Sequence, residues 1–487
     1  MFLRLLYGSN YNYCIVVRKE IIMYLFFILA YLILMFVIGI VCSRKNAKGN
    51  IFVTVDGGLP WYVNAGTLIA TYVGSGAIMG AAALAFTSGY NAIWMYFGGW
   101  VAVLAHVLLY KRIKHMTGST ISELIGARYG DAARLISSII LITGEISIVA
   151  YNLKSTGLIL NVVTGMDQKL AVIVSAVFIL IITIVAGLVS VAYTDYVQAI
   201  VIIVSFIIAV PVLATKGGGV ANVMATLPAN FFQPLKSFSW NYALSSLLPT
   251  FCLVFMSQGF WQRFAISRNR SELRKTVFTW LIGVVLISFL IMTFATFGAA
   301  VVPEANADTI VMSIAKLALP TVIGLAVLCA TTSVLVTTAD SYLLSSASVF
   351  INDIYCRYIN KDADEKTLLN ISRIAVVVLG VAAYILITFF PSILSMIYFA
   401  YTMEGGLIVL MIGMMFWKRA TPQGGTAAAA TVFLVTIFWE IFKPFGIATV
   451  FATLIIGTAV LVIVSLLTPA PDPKYLERFD FSKIDED

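Results

Sequence analysis

Apolar residues run along this chain in long stretches, separated by short polar intervals. A helix rises 1.5 Å per residue, so about 20 apolar residues cross the hydrocarbon of a bilayer. On that ruler the pattern predicts thirteen spans, numbered from zero. Span 0 covers 24–43, span 1 60–87, span 2 90–112, span 3 132–164, span 4 168–187, span 5 189–215 and span 6 240–260. Span 7 covers 273–302, span 8 319–350, span 9 368–390, span 10 391–417, span 11 420–442 and span 12 446–468. The longest loop, 216–239, opens with Gly217, Gly218 and Gly219, and no interval has room for a soluble domain. The predicted class is an all-α polytopic membrane protein.

Composition agrees. The 487 residues are 61% hydrophobic and 11% charged, where a soluble domain carries about 25% charged residues. Such a chain cannot cover a globular surface with polar groups, so soluble and disordered classes are excluded. The net charge of +8 is scattered in short clusters between the spans. It therefore concerns topology in a lipid bilayer, and no nucleic-acid partner is expected. Cys14, Cys42, Cys252, Cys329 and Cys356 lie far apart, without disulfide or metal-ligand spacing,. His106 and His115 are too few for a metal cluster.

Lys and Arg in short loops are retained on the cytoplasmic side. One set of alternating loops carries Arg44, Lys45, Lys48, Lys111, Arg112, Lys114, Arg128, Arg263, Arg268, Arg270, Arg274, Lys275, Arg357, Lys361, Lys366, Lys418 and Arg419. The other set carries little more than Lys169, Lys216, Lys236 and Lys443, with Glu304 and Asp308. The parity holds through all spans. It predicts a multi-pass protein with its N-terminus outside and its tail, 469–487, cytoplasmic. Arg4, Arg18 and Lys19 oppose that orientation, and residues 1–22 lack the pattern of a signal peptide,. Translation is expected to begin at Met23, leaving 1–22 as an untranslated extension, with helix 0 and its loop over 23–59.

Polar features inside spans locate the chemistry. Gly74-Ser75-Gly76 interrupts span 1, and Pro249, Ser257 and Gln258 interrupt span 6. Broken helices opening two similar halves, spans 1–5 and 6–10, point to an inverted-repeat transporter with a midplane site. The same glycines also suit close helix packing. In span 8, Thr337, Asp340 and Ser341 share one face, extended by Ser345 and Ser348,. A carboxylate among hydroxyls offers hard oxygen ligands to an alkali cation, although Ser345 to Ser348 also suit bonds to their own backbone. Glu145 and Lys154 in span 3, Asp195 in span 5 and Glu404 in span 10 are ionisable. Each would cost about 2.5–3.5 kcal/mol facing lipid at a helix centre. Each is expected to face protein or water, as a functional group or in a buried structural pair. Glu145 and Lys154 lie nine positions apart, about 900° around the helix and about 13.5 Å along it, so they point to opposite sides.

Further motifs are Leu59-Pro60-Trp61 entering span 1, Ala192-Tyr193-Thr194-Asp195 with Gln198 in span 5, and Trp261-Gln262-Arg263-Phe264-Ala265 after span 6. They continue with Thr337-Thr338-Ala339-Asp340-Ser341 in span 8, Asp353-Ile354-Tyr355 at its end, and Phe416-Trp417-Lys418-Arg419 closing span 10. In this order the chain resembles the sodium:solute symporters from about Leu59 to Arg419. The resemblance implies a five-plus-five inverted-repeat, LeuT-like core: helices 1–5 over 60–215, helices 6–10 over 240–417, and helices 11–12 over 420–468. It also implies a main sodium site built from carbonyls of Ala70, Val73 and Val334 and hydroxyls of Thr337 and Thr338. A second sodium or proton site is implied at Asp195, Asp340 and Ser341, with Thr337 beside them.

On the substrate side, the resemblance points to Gly74, Ser75, Gly76, Lys154, Gln258 and Glu404. The aspartate that proline transporters of the family carry at the span-1 break is absent, as are the acidic and glutamine residues of sugar transporters. Asn152-Leu153-Lys154-Ser155 is similar to members suggested to carry organic acids. Lys154 is expected to answer a substrate carboxylate or to pair with Glu404. The expected function is sodium-coupled import of a small carboxylate-bearing solute (a monocarboxylate, pantothenate or an amino acid) at the plasma membrane, with sodium as coupling ion and no cofactor or enzymatic step. The alternative is a proton-coupled symporter using Glu145, Asp195 or Glu404. A sensor or channel is disfavoured by the short tail.

Overall fold

A computed structural model of the chain describes residues 22–35, 37, 60–116, 120–186, 188–234, 239–261, 270–479 and 481. Several features named above lie outside the described residues: the extension 1–21, Arg44, Lys45, Lys48, Leu59, Lys236, Gln262 to Ala265, Arg268 and the end of the tail.

The described residues form helices and no strands. Helix α1 is Ile22–Met35. Then follow α2 (Trp61–Tyr72), α3 (Ala81–Ser88), α4 (Ile93–Leu108), α5 (Tyr110–His115), α6 (Ile121–Tyr129), α7 (Asp131–Thr164), α8 (Gln168–Ala186), α9 (Leu188–Lys216) and α10 (Val220–Thr226). The second half holds α11 (Trp240–Met256), α12 (Arg270–Val301), α13 (Ile310–Leu317), α14 (Thr321–Val349), α15 (Glu365–Leu386), α16 (Ile393–Gly405), α17 (Ile408–Phe416), α18 (Pro422–Phe442) and α19 (Thr449–Leu467). Among the described residues, nine helical stretches are long and apolar enough to cross a membrane, and α1, α8 and α11 add three shorter apolar ones. One of the nine, Gly76–Leu108, is two spans, because the chain turns at Gly89 with φ 62°.

The helices obey local rules. Pro60 precedes α2, and Pro422 opens α18 behind the Thr421 cap,. The Thr120 hydroxyl caps α6 by accepting the Glu123 N–H at 3.1 Å,. Gly165, at φ 70°, ends α7,. Helix α7 is the hub, packed against α14, α16, α8, α15 and α6. The polar-bearing spans 8 and 10 are enclosed, with 78% and 83% of their apolar windows buried. The windows of α15 and α18 are only 28% buried, and Ile374, Phe438 and Ile441 face outward as lipid-facing helices require,.

Three spans are broken where the site lies. In span 1, α2 stops at Tyr72, Val73 and Gly74 leave the helix, and the chain resumes as a π-turn, Gly76–Gly80, before α3. In span 6, α11 stops at Met256, Ser257 is extended (φ −63°, ψ 121°), and a helical turn begins at Gln258. Span 10, read as continuous, splits at Gly405 and Gly406. There the Leu407 N–H reaches the Glu404 carbonyl at 3.3 Å, tightening one turn before α17,. Two loops also hold more structure than read: 216–239 contains α10 and a 3-10 turn, Ala229–Phe232, and the connection between spans 2 and 3 contains α6.

Charged loop residues gather at the end of the bundle that holds α6. Buried Asp353 accepts from Arg134 Nε at 2.8 Å, Thr120 Oγ1 at 3.0 Å and Ser122 Oγ at 2.6 Å. Arg112 donates to the Met415 carbonyl at 3.0 Å, and Arg128 to the Lys418 carbonyl at 3.2 Å, around the C-terminus of α17. Arg419 donates to the Thr468 carbonyl at 2.7 Å, at the end of α19. Cations there complete carbonyls that a helix end leaves unpaired.

Candidate cation and substrate site

The break in span 1 frees backbone oxygens. The Val73 N–H is the last to bond back into α2, to Ile69 O at 2.8 Å, and the next segment starts from the Gly74 carbonyl. The carbonyls of Ala70 and Val73 therefore sit where the helical ladder is interrupted. Helix α14 meets this break through Thr338: a methyl group on Gly74 would stand 3.1 Å from the Thr338 hydroxyl oxygen. On the same helix the adjacent Thr337 carries a hydroxyl and Val334, one turn earlier, a carbonyl.

A hydroxyl can coordinate a cation only if its proton points elsewhere. Thr337 Oγ1 lies 2.8 Å from Gln198 Oε1 of α9 and 3.2 and 3.4 Å from the Ser333 and Val334 carbonyls, so its proton has acceptors on α9 and on its own helix,. Asp195 stands one turn before Gln198, as Asp340 stands one turn after Thr337, so two i,i+3 pairs face each other across α9 and α14,. Asp195 Oδ2 accepts the Thr67 hydroxyl of α2 at 3.0 Å. Asp340 faces Thr183 of α8, with Asp195 within electrostatic reach. Both aspartates are buried, and Asp340 Oδ1 receives no hydrogen bond. Ser341 follows, half-buried.

Beside this cluster lies a cavity of about 30 Å³, which as it stands has room for a water or two. Spans 1, 2, 3, 6, 8 and 10 all contribute to its wall. Tyr72, Tyr96, Tyr151, Tyr342, Tyr401 and Phe260 make the wall aromatic, with Gly74, Gly76 and Thr338 also on it and no charged side chain among the lining residues. The Tyr96 hydroxyl donates to the Ala77 carbonyl at 2.7 Å, bracing the π-turn. A methyl group on Gly76 would overlap the Tyr401 hydroxyl. Overpacking of that kind costs about 1–3 kcal/mol. Gly76→Ala is therefore expected to weaken solute binding about 10-fold or more while sodium binding without solute stays near normal. Equilibrium binding of both in detergent checks this, and an equal loss of the two would remove Gly76 from the solute side.

The other residues named for the substrate fall elsewhere. Ser75 is buried with its hydroxyl unpaired, behind the cavity wall. Gln258 Oε1 accepts the Ile121 N–H at 2.9 Å, tying the broken span 6 to the first turn of α6. Lys154 Nζ reaches the Phe390 carbonyl at 3.4 Å, with Asp308 within electrostatic reach. It does not line the cavity and does not pair with Glu404, which packs against α7 at Gly144. Gln198, Thr67, Thr183 and the tyrosines were not named as site residues. The matched spacing in spans 5 and 8 marks Gln198, whereas the tyrosines come from five spans that only the fold assembles.

The family model of the sodium:solute symporter family matches residues 51–432. The osmoregulated proline transporter OpuE of Bacillus subtilis is 24% identical over 474 residues, covering 91% of this chain and 94% of its own. The sodium/proline symporter of Escherichia coli is 22% identical, covering 92% and 94%. The high affinity choline transporter 1 of Homo sapiens is 26% identical over 337 residues, covering 65% and 58%. Among solved structures, the outward-open state of a Na+-coupled sialic acid symporter superposes with a TM-score of 0.76 at 18% identity, covering 92% of this chain and 98% of that one. The nucleobase-cation-symport-1 transporter Mhp1, in a closed conformation, superposes with a TM-score of 0.61 at 13% identity, covering 90% and 99%. Both likenesses concern the fold, which is LeuT-like. With the match over residues 51–432, the chain belongs to the sodium:solute symporter family.

Proposed function

We propose that this chain is a sodium-coupled symporter that imports a small carboxylate-bearing solute by alternating access across the plasma membrane, with its N-terminus outside and its tail inside. The observation that carries the reading is the close approach of Gly74, at the span-1 break, to the Thr338 hydroxyl of span 8, with the neighbouring Thr337 bonded to Gln198 of span 5. Sodium bound by Ala70, Val73, Val334, Thr337 and Thr338 ties the broken span 1 to span 8 and favours the solute-competent state. Gln258, bonded to the first turn of α6, holds the inner side shut until the bundle rocks.

The solute site is the aromatic cavity, which at about 30 Å³ must widen as the bundle moves before it admits an organic solute. The helix that resumes at Gly76 presents its N-terminal amides there, and such ends attract carboxylates. The tyrosine rings on the wall suit an apolar or ammonium-bearing body,. A wall without formal charges favours a zwitterion, such as an amino acid or betaine, over an unpaired anion. Lys154, held at the Phe390 carbonyl, is read as a brace between outer loops.

One sodium entering down a tenfold gradient and 100 mV yields about 1.4 plus 2.3 kcal/mol, roughly a 500-fold accumulation of a zwitterion. For a monoanion carried with one sodium, the electrical part cancels and about tenfold remains. A second sodium at Asp195, Asp340 and Ser341 would restore it.

The test is uptake in liposomes. A panel of amino acids, betaine, pantothenate, monocarboxylates and neutral sugars is offered under an imposed sodium gradient at fixed pH. Uphill uptake of a carboxylate-bearing solute, abolished when potassium replaces external sodium, is expected. Uptake indifferent to sodium would overturn the coupling, and transport restricted to solutes without a carboxylate would overturn the class. Lys154→Met is expected to lower carboxylate and neutral analogues equally, whereas selective loss of the carboxylates would return recognition to Lys154.

A further inference from the structure

A second pair of carboxylates stands apart from the cation cluster. Glu145 of α7 and Glu404 of α16 are 1% and 0% exposed. Glu145 Oε1 accepts the Ser345 hydroxyl of α14 at 2.5 Å, while Glu145 Oε2 and both oxygens of Glu404 receive no hydrogen bond. The two acids are within electrostatic reach of each other. Gly144 makes the approach possible: a methyl group there would stand 2.8 Å from Glu404 Cβ.

The groups facing the pair are neutral. Tyr342 and Ser346 face it from α14, Tyr401 from α16 and Tyr151 from α7 itself, with Ser257, at the break in span 6, bonded to Tyr342. No charged group of α8, α15 or α18 acts on either acid, and no described Lys or Arg forms an ion pair with them. Two carboxylates cannot both stay ionised in a low-dielectric interior without a compensating positive charge. A sodium ion would require several further oxygens. Here the nearby serine hydroxyls, Ser345 and Ser346, already bond to Glu145 or to helix backbone, and the pair is otherwise walled by tyrosines. A proton needs only the two acids.

We propose that Glu145 and Glu404 share a single bound proton, forming a cation site separate from the sodium cluster and located at the break in span 10. Glu404 is the last residue before Gly405 and Gly406, where α16 gives way to α17. With the proton in place, one acid donates to the other and α7 holds α16 at its hinge. When the proton leaves to water, two like charges oppose each other and push the hinge open. The pair thus ties the bend of span 10 to proton occupancy, beyond the sodium coupling proposed above.

Infrared spectroscopy of the purified full-length protein in D2O tests this through the carbonyl stretch of protonated carboxylic acids. The wild type near neutral pH is expected to show a band that loses one carboxyl equivalent in Glu404→Gln, the same in Glu145→Gln, and no more in the double variant. Losses that add in the double variant would mean that each acid holds its own proton. An unchanged band in both single variants would mean that neither does. Replacing potassium chloride by sodium chloride is expected to leave this component intact, and its removal by sodium would identify a sodium site instead. Each result other than the expected one overturns the proposal. The salt exchange needs only the wild type, and glutamine keeps the size of glutamate, so the test survives poor expression of one variant.

Discussion

Replacing Thr338 by alanine is expected to raise the sodium concentration for half-maximal uptake about 10- to 100-fold. A hydrogen bond to a charged group is worth about 1.5–3 kcal/mol, and a hydroxyl lost from a cation's coordination shell belongs to that range. Each 1.4 kcal/mol is a factor of ten. Thr338 is 6% exposed and abuts Gly74, so water has little room to replace the lost oxygen. Thr338→Ser keeps the oxygen and is expected to stay within a fewfold of wild type. Because Thr338 also lines the aromatic cavity, binding of radioactive sodium without solute is the cleaner readout. If sodium binding is unchanged in the alanine variant, Thr338 is not a ligand.

Replacing Arg134 by methionine is expected to have the largest effect on stability. Arg134 is the one cation paired with Asp353 among the described residues, and Asp353 is fully buried. Breaking such a pair from one side typically costs about 3–5 kcal/mol, because a charge is left uncompensated in the interior. The Thr120 and Ser122 hydroxyls, at 3.0 and 2.6 Å, offset part of that loss without supplying a positive charge. The same aspartate fixes the start of α6 and the end of span 8, so thermal unfolding in detergent should begin earlier and less cooperatively. The double variant Arg134→Met with Asp353→Leu is expected to recover much of the difference. A single variant as stable as wild type would mean that the pair lies in solvent.

The arrangement of spans is legible in the chain because membrane crossing demands long apolar runs and because basic loops alternate. The break in span 1 is legible too, since Gly74, Ser75 and Gly76 cannot be explained by lipid contact. The break in span 10 is not: Gly405 and Gly406 follow Glu404 inside a run that is still long and apolar enough to read as one span, and the split shows only in backbone bonds. Lys154 illustrates a different limit. Its type and depth suggest a carboxylate partner, but the choice among Glu404, Asp308 and a solute depends on which helices neighbour α7. The aromatic cavity is less legible still, because tyrosines in membrane helices are common and nothing local separates those that converge from those that face lipid. Gln198 falls between, marked by its register with Asp195, yet explained only once Thr337 is seen to donate to it.

Helix α7, at 34 residues, is about 51 Å long, whereas a bilayer with its headgroups is about 40–45 Å thick. It must therefore tilt or project. It also carries Glu145 and packs on both α14 and α16, so a change of tilt is felt at each partner. Hydrophobic mismatch costs fractions of a kcal/mol per ångström, comparable to the small differences that separate transporter conformations. Acyl-chain length is therefore a control variable for this protein: uptake measured in thin and in thick bilayers should differ even when sodium, voltage and solute are held the same.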